Sequence, residues 1–210
     1  MTNYLSAKRI ALFSMFVALN TLANIYEVYI SPSERFSLVL AVVSVSGFML
    51  GMAGGFLTGF LGDAIGFLIK PSGGVGAYTP FIGLGIGLTG FLPAFLVFLY
   101  RIITRKKLNL IFTTIITAIS SVLCFFIVTC GINMFVIWKL FNPGRKTFKA
   151  LFIVRISTQF PVSLVNGILS CVLCRFIVKI PYFKQFFYVY NTENDVEEQI
   201  EKADDEYGNK

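Results

Sequence analysis

The stretch Gly47–Gly74, GFMLGMAGGFLTGFLGDAIGFLIKPSGG, decides the class of the whole chain. Gly47, Gly51, Gly55 and Gly59 recur every four residues inside an apolar run, and Gly62 and Gly66 repeat the spacing. Small residues four apart lie on one helix face and let helix backbones approach closely in lipid. The group Gly51, Gly54 and Gly55 reads as a tight turn, so the run predicts two closely packed helices rather than one. Its end, Lys70-Pro71-Ser72-Gly73-Gly74, reads as a loop. Asp63 is the one acid inside a span, seven residues before Lys70, or about 10 Å of helix from that loop. An ionisable group at that depth faces protein or water rather than lipid. Pairing with a buried base, capping helix geometry and touching substrate are the roles open to it, and a structural one is favoured.

Working outward, the same apolar texture covers most of the chain. Of 210 residues, 56% are hydrophobic and 14% charged, against about 25% charged in a typical soluble domain. A membrane span needs about 20 apolar residues. Six segments qualify or come close: residues 10–26, 36–50, 51–69, 81–100, 109–138 and 151–178. Polar or basic connections separate them at 27–35, 70–80, 101–108 and 139–150. The expected fold is therefore all-α, an integral membrane bundle of six transmembrane helices forming one domain over residues 1–190. Lys8 and Arg9 precede the first apolar run without a small-residue cleavage site, so this helix reads as retained rather than as a signal peptide.

The last twenty residues hold eight of the eleven acids and only Lys202 and Lys210 as bases. Residues 191–210 therefore read as a solvated, disordered cytoplasmic tail. The membrane body is left strongly cationic. Cytoplasmic loops of membrane proteins are enriched in Lys and Arg. Placing both termini inside puts Lys8, Arg9, Arg101, Arg105, Lys106, Lys107, Arg175, Lys179 and Lys184 on the cytoplasmic side. Arg35, Lys70, Lys139, Arg145, Lys146, Lys149 and Arg155 then lie outside. The cluster from Lys139 to Arg155 runs against the rule, and an anionic ligand would account for it.

Several chemistries are excluded. Histidine is absent, which removes Ser-His-Asp and Cys-His catalysis and any His-ligated metal. The four cysteines, Cys124, Cys130, Cys171 and Cys174, sit in apolar runs and read as packing residues. Gly85-Ile-Gly87-Leu-Thr-Gly90 matches a dinucleotide string but lacks the strand that should precede it, so these glycines read as thinning a helix for packing. No phosphate-binding P-loop motif occurs, so the chain carries no ATP-driven engine of its own. No metal, cofactor, nucleic acid or enzymatic activity is expected. A self-sufficient secondary transporter is the competing reading, against which stand the lone intramembrane acid and the lack of inverted repeats.

Arg155, Gln159 and Ser163 are four apart and share one helix face, with Asn166 close to it. Asn133 lies five residues before Trp138, toward the same end of the neighbouring helix. Arg presents a planar fork to a carboxylate, and side-chain amides match a heterocycle's donors and acceptors. Trp138, Tyr78 and Phe81 offer rings for stacking. Near the N-terminus, Ala11, Ser14 and Ala18 make a small-residue face suited to a partner helix.

These residues resemble a known family. Gly47–Gly74, the Tyr78-Thr79-Pro80 loop and a helix ending in FLYR (98–101) are similar to the substrate-binding S components of energy-coupling factor (ECF) vitamin transporters. GINMFVIW (131–138) and RISTQFPVSLVNGIL (155–169) resemble the folate-type (FolT) group. The resemblance spans roughly residues 8–179. It implies six membrane helices with cytoplasmic termini and a vitamin, folate foremost, bound near the outer surface. Riboflavin, thiamin and pyridoxine remain alternatives, because the loop PSGGVGAYTPFIG departs from the folate pattern. The loops 27–35, 70–80 and 139–155 would close the site, with Arg35, Arg145 and Arg155 the bases nearest its mouth. The resemblance also implies a transmembrane coupling protein and two cytoplasmic ATPases as partners. Ala11, Ser14 and Ala18 would dock that coupling protein, and the loaded subunit would topple in the membrane.

Overall fold

A computed structural model describes residues 7–31, 34–71, 78–104, 110–141 and 147–180. Arg145, the Ser72–Ala77 part of the second loop, Arg105–Lys107 and the acidic tail lie outside the described residues. Apart from one two-stranded hairpin, the described elements are helical: α1 (Ala7–Ile25), β1 (Val28–Ser31), β2 (Glu34–Phe36), α2 (Val39–Ile69), α3 (Pro80–Thr104), α4 (residues 110–141) and α5 (Phe148–Lys179). Four of the helices, α2 to α5, are long and apolar enough to cross a membrane.

α2 does not run straight. Gly51 has φ 80° and ψ −174°, a region essentially reserved for glycine. The contacts on either side of it run in opposite senses. Before Gly51, Val39 and Val43 pack near Ala23 of α1, while Val45, Phe48 and Met49 join Leu12 and Phe16. Beyond it, the Asn20 amide donates to the carbonyl of Thr58 at 2.9 Å, Asn24 reaches Asp63, and Lys70 Nζ donates to Ile25 O at 2.8 Å. The chain therefore reverses at Gly51, where the glycine spacing predicts the turn. Gly51→Ala is expected to destabilise the fold by about 1–3 kcal/mol, read as a lowered unfolding temperature in detergent against a Gly131→Ala control. Equal melting of the two variants would remove the backbone argument.

The glycine stripe has two partners. A Cβ on Gly47 or Gly55 would strike the Gly90 carbonyl of α3, and one on Gly59 would sit 2.6 Å from Ile86 O. Farther along, a Cβ on Gly62 or Gly66 would strike the Asn20 or Asn24 side chain of α1. So α2 and α3 pack nearly backbone to backbone, while α1 meets α2 through the side chains of Asn20 and Asn24. Pro93 within α3 leaves the Thr89 carbonyl without its intrahelical partner, and the Cys124 thiol lies 4.0 Å from that oxygen.

The loop predicted at 27–35 contains the antiparallel hairpin, with Val28 opposite Phe36 and Tyr29 opposite Arg35. Helix α2 consequently starts at Val39 rather than at residue 36. Its N-cap residue, Leu38, has no side chain able to cap. The Ala41 N–H is shared between Leu38 O at 3.1 Å and Asn166 Oδ1 of α5 at 3.3 Å, and Asn166 Nδ2 donates to Ser37 O at 3.0 Å. The bundle thus has a hairpin end, carrying β1–β2, Lys70, the end of α4 and the start of α5, and an opposite end. At the opposite end Leu12, Phe16, Val45, Phe48, Met49, Val97, Ile116 and Cys174 form one core drawn from all five helices.

Candidate functional site

The polar stripe of α5 descends from the hairpin end. Arg155 is half-buried and close enough to Cys130 of α4 for its charge to act on that thiol. Gln159 is buried one turn on, beside Phe160, whose ring packs edge-on to Phe125 at 5.8 Å. Ser163 follows, its Oγ enclosed and without a protein hydrogen-bond partner. Asn166 is buried at the α2 contact. The four residues therefore lie along the line where α5 meets α4 and α2.

Asn133 approaches from α4. Its Oδ1 is enclosed without a hydrogen-bond partner, and a Cβ on Gly85 of α3 would sit 2.9 Å from it. The helix around it is wound with π-type bonding over Phe125–Asn133 and again over Ile137–Phe141, a winding often found at functional sites. Trp138 caps this end: its ring meets Phe148 edge-on at 5.6 Å and Phe135 at 6.4 Å, and Phe148 stacks on Phe152 at 6.1 Å. Lys139 Nζ lies 5.8 Å from the Phe135 centroid. Cation and aromatic surface are therefore combined at the α4–α5 mouth.

Tyr78 stands elsewhere. A Cβ on Gly83 would strike its hydroxyl and lie 3.2 Å from Asp63 Oδ2. Gly83 and Gly85 are two residues apart, so they point to nearly opposite faces of α3. The structure puts Tyr78 with Asp63, Asn24 and Phe67 on one side of α3, and Asn133 on the other. Its ring packs on Phe67 at 5.4 Å, and Asn24 Nδ2 donates to Asp63 Oδ1 at 3.1 Å. Burial first, then the nearby charge of Asp63, pushes the Tyr78 phenol from 10.0 up to about 12. It stays protonated at physiological pH. Asp63 thus lies between Asn24 of α1 and the Tyr78 hydroxyl. Phe81 is exposed, and Arg35 lies on β2 opposite Tyr29.

A small cavity of about 20 Å³ lies below the stripe, lined in part by Ser44, Thr89, Ser121, Ser163, Asn166 and Ser170. That is room for about one water molecule. On the far side of the bundle, Ala11, Ser14 and Ala18 are all exposed along α1, together with Met15, Leu19 and Leu22. The sequence reading missed the buried polar row Asn20, Thr21 and Asn24 behind that face. Its signal was present: three polar residues spaced to meet Gly62 and Gly66, inside a helix otherwise apolar.

A comparison with curated proteins returns no match. A family model described as "ECF transporter, substrate-specific component" matches residues 8–178, a span covering all five helices but the first and last residues of α1 and α5. That family comprises membrane subunits that bind a small-molecule substrate and work with the partners of an ECF module, which agrees with the membrane-length helices and the polar mouth described above. The chain belongs to the family of substrate-specific components of ECF transporters.

Proposed function

We propose that the protein is the vitamin-binding subunit of an ECF transporter in the cell membrane, with folate as its substrate. The reading rests on one observation above the others. Arg155, Gln159 and Ser163 descend a single face of α5 from a mouth lined by Trp138, Phe148 and Lys139. A guanidinium and an amide beneath aromatic rings suit a flat heterocycle carrying carboxylates. Arg35 and Arg145, whose side chains lie outside the described residues, are proposed as further bases for the substrate's carboxylates.

In this reading α1, the two arms of α2, α3, α4 and α5 are six transmembrane helices. The hairpin end faces outward, and both termini and the acidic tail lie in the cytoplasm. The substrate binds at the outer end, and a coupling protein with two ATPases supplies the energy for toppling. Calorimetric titration of the purified subunit with folic acid, riboflavin, thiamin and pyridoxine tests the reading. Tight binding of folic acid alone supports it; binding of another vitamin corrects the substrate; no binding by any of the four removes it.

Docking of the coupling protein falls to Ala11, Ser14 and Ala18. Their small side chains leave an exposed groove for close helix approach, while Leu12 and Phe16 face the core. Ala18→Trp is expected to leave vitamin binding at the wild-type level and to abolish uptake in cells carrying the whole transporter. Normal uptake by this variant would exclude the face as a docking surface.

A further inference from the structure

Charge is sorted along the bundle. The three acids of residues 1–190, Glu27, Glu34 and Asp63, all belong to the hairpin-end half, and no Asp or Glu occurs from Ala64 to Thr192. The opposite end carries cations from three helices. Lys8 and Arg9 lie one turn before Leu12 on α1, Arg101 lies one turn beyond Val97 on α3, and Arg175 and Lys179 flank Ile177 on α5. Leu12, Val97 and Ile177 meet in the core at that end, so the five cations ring one surface. Lys8, Arg175 and Lys179 are exposed, and Arg9 and Arg101 are half-buried. The enrichment of cytoplasmic loops in bases accounts for cations at one end. It does not account for a body that places no acid among them, where like charges repel. The acids stand instead just beyond α5: residues 191–210 hold eight against two lysines, a net charge of −6.

We infer that the acidic segment 191–210 folds back onto this cationic end of its own bundle rather than standing free in solvent. The segment follows α5, so it begins at the end that carries the cations whichever way the bundle faces in a membrane. The fourteen residues from Lys179 to Glu193 can span up to about 45 Å. A helix with its side chains is only about 10–12 Å across, so Lys8 on α1 is within reach. Each exposed ion pair contributes little by itself. Several pairs held by one tether act jointly, because the tether keeps the second partner close once the first has met. Lys8 lies one turn before Ala11, so the segment borders the α1 face proposed for docking the coupling protein. That consequence rests on the docking reading; the intramolecular contact does not.

A water-soluble carbodiimide tests the contact on the full chain in lipid nanodiscs, since it joins carboxylates to lysine amines that touch them and leaves arginine unmodified. The readout is the yield of peptides joining residues 193–206 to Lys8, relative to those joining them to Lys184, nine residues from Glu193 in sequence. At low salt in phosphatidylcholine discs Lys8 is expected to cross-link. Sodium chloride at about 1 M, where charges are screened beyond about 3 Å, should cut the yield about tenfold. Arg9→Gln/Arg175→Gln keeps every reacting group and should cut it about fivefold. No cross-link to Lys8 overturns the inference. So does a yield that neither salt nor the arginine variant lowers, which is what a segment merely tethered nearby would give. Should the variant melt below the wild type, the salt series on the wild type decides. Discs with about one-third phosphatidylglycerol identify the competing occupant: the cross-link should persist there, and its loss would assign the cationic end to lipid headgroups and overturn the contact.

Discussion

Gly90→Leu is expected to leave little or no folded protein. A Cβ at Gly90 would strike the Gly55 carbonyl and lie 3.0 Å from its Cα, while a Cβ on Gly47 or Gly55 would itself strike the Gly90 carbonyl. The obstructing atoms are backbone on every side, so no rotamer change relieves the clash. Overpacking commonly costs roughly 1–3 kcal/mol. Here the helices must also separate along their length, losing the close contact that drives association in lipid, so the cost exceeds that range. The measurement is the yield of monodisperse protein in detergent and its unfolding temperature. Gly131→Leu serves as the control, since the nearest atom to its Cβ is Phe126 O at 3.4 Å. A Gly90→Leu protein that elutes and melts like the control would show that the three helices do not need this approach.

Arg155→Ala is the variant with the largest expected effect on binding. Removing one partner of a desolvated charge pair costs roughly 2–5 kcal/mol, or about 30-fold to several thousand-fold in Kd. Arg155 is half-buried on the α4 side of α5, and a ligand carboxylate held there would lose both arms of the guanidinium fork. Arg155→Lys keeps the charge without the fork, so its loss should be intermediate. The unfolding temperature of Arg155→Ala without ligand should stay near the wild type. Affinity within twofold of wild type would take Arg155 out of the site.

Much of the helical layout is legible in the sequence because lipid makes the rules strict. Every long apolar run must close its backbone hydrogen bonds internally, and the breaks at Gly51 and at Lys70-Pro71 fall where the sequence puts them, whereas α3 continues past Arg101 to Thr104. The hairpin was hidden because VYIS and ERF (28–31 and 34–36) are shorter than any pattern window. The glycines of α3 were read correctly as packing residues, but which of them meets which neighbour depends on rotation about the helix. That rotation is what separates Tyr78, beside Gly83, from Asn133, beside Gly85. The stripe Arg155–Gln159–Ser163 was legible from its spacing. The bonds of Asn166 to Ala41 and Ser37, 125 and 129 residues away in sequence, had no local signal.

The buried row Asn20, Thr21 and Asn24 has a consequence for biosynthesis. These side chains find their partners on residues 58–63, which leave the ribosome some forty residues later. A translocon that reads each segment as it emerges meets α1 as a poor candidate for partitioning into lipid, burdened by amides that nothing yet satisfies. In the six-span reading, residence of α1 in the bilayer thus waits on the second arm of α2, so that α1 is made before its partner and settles only with it.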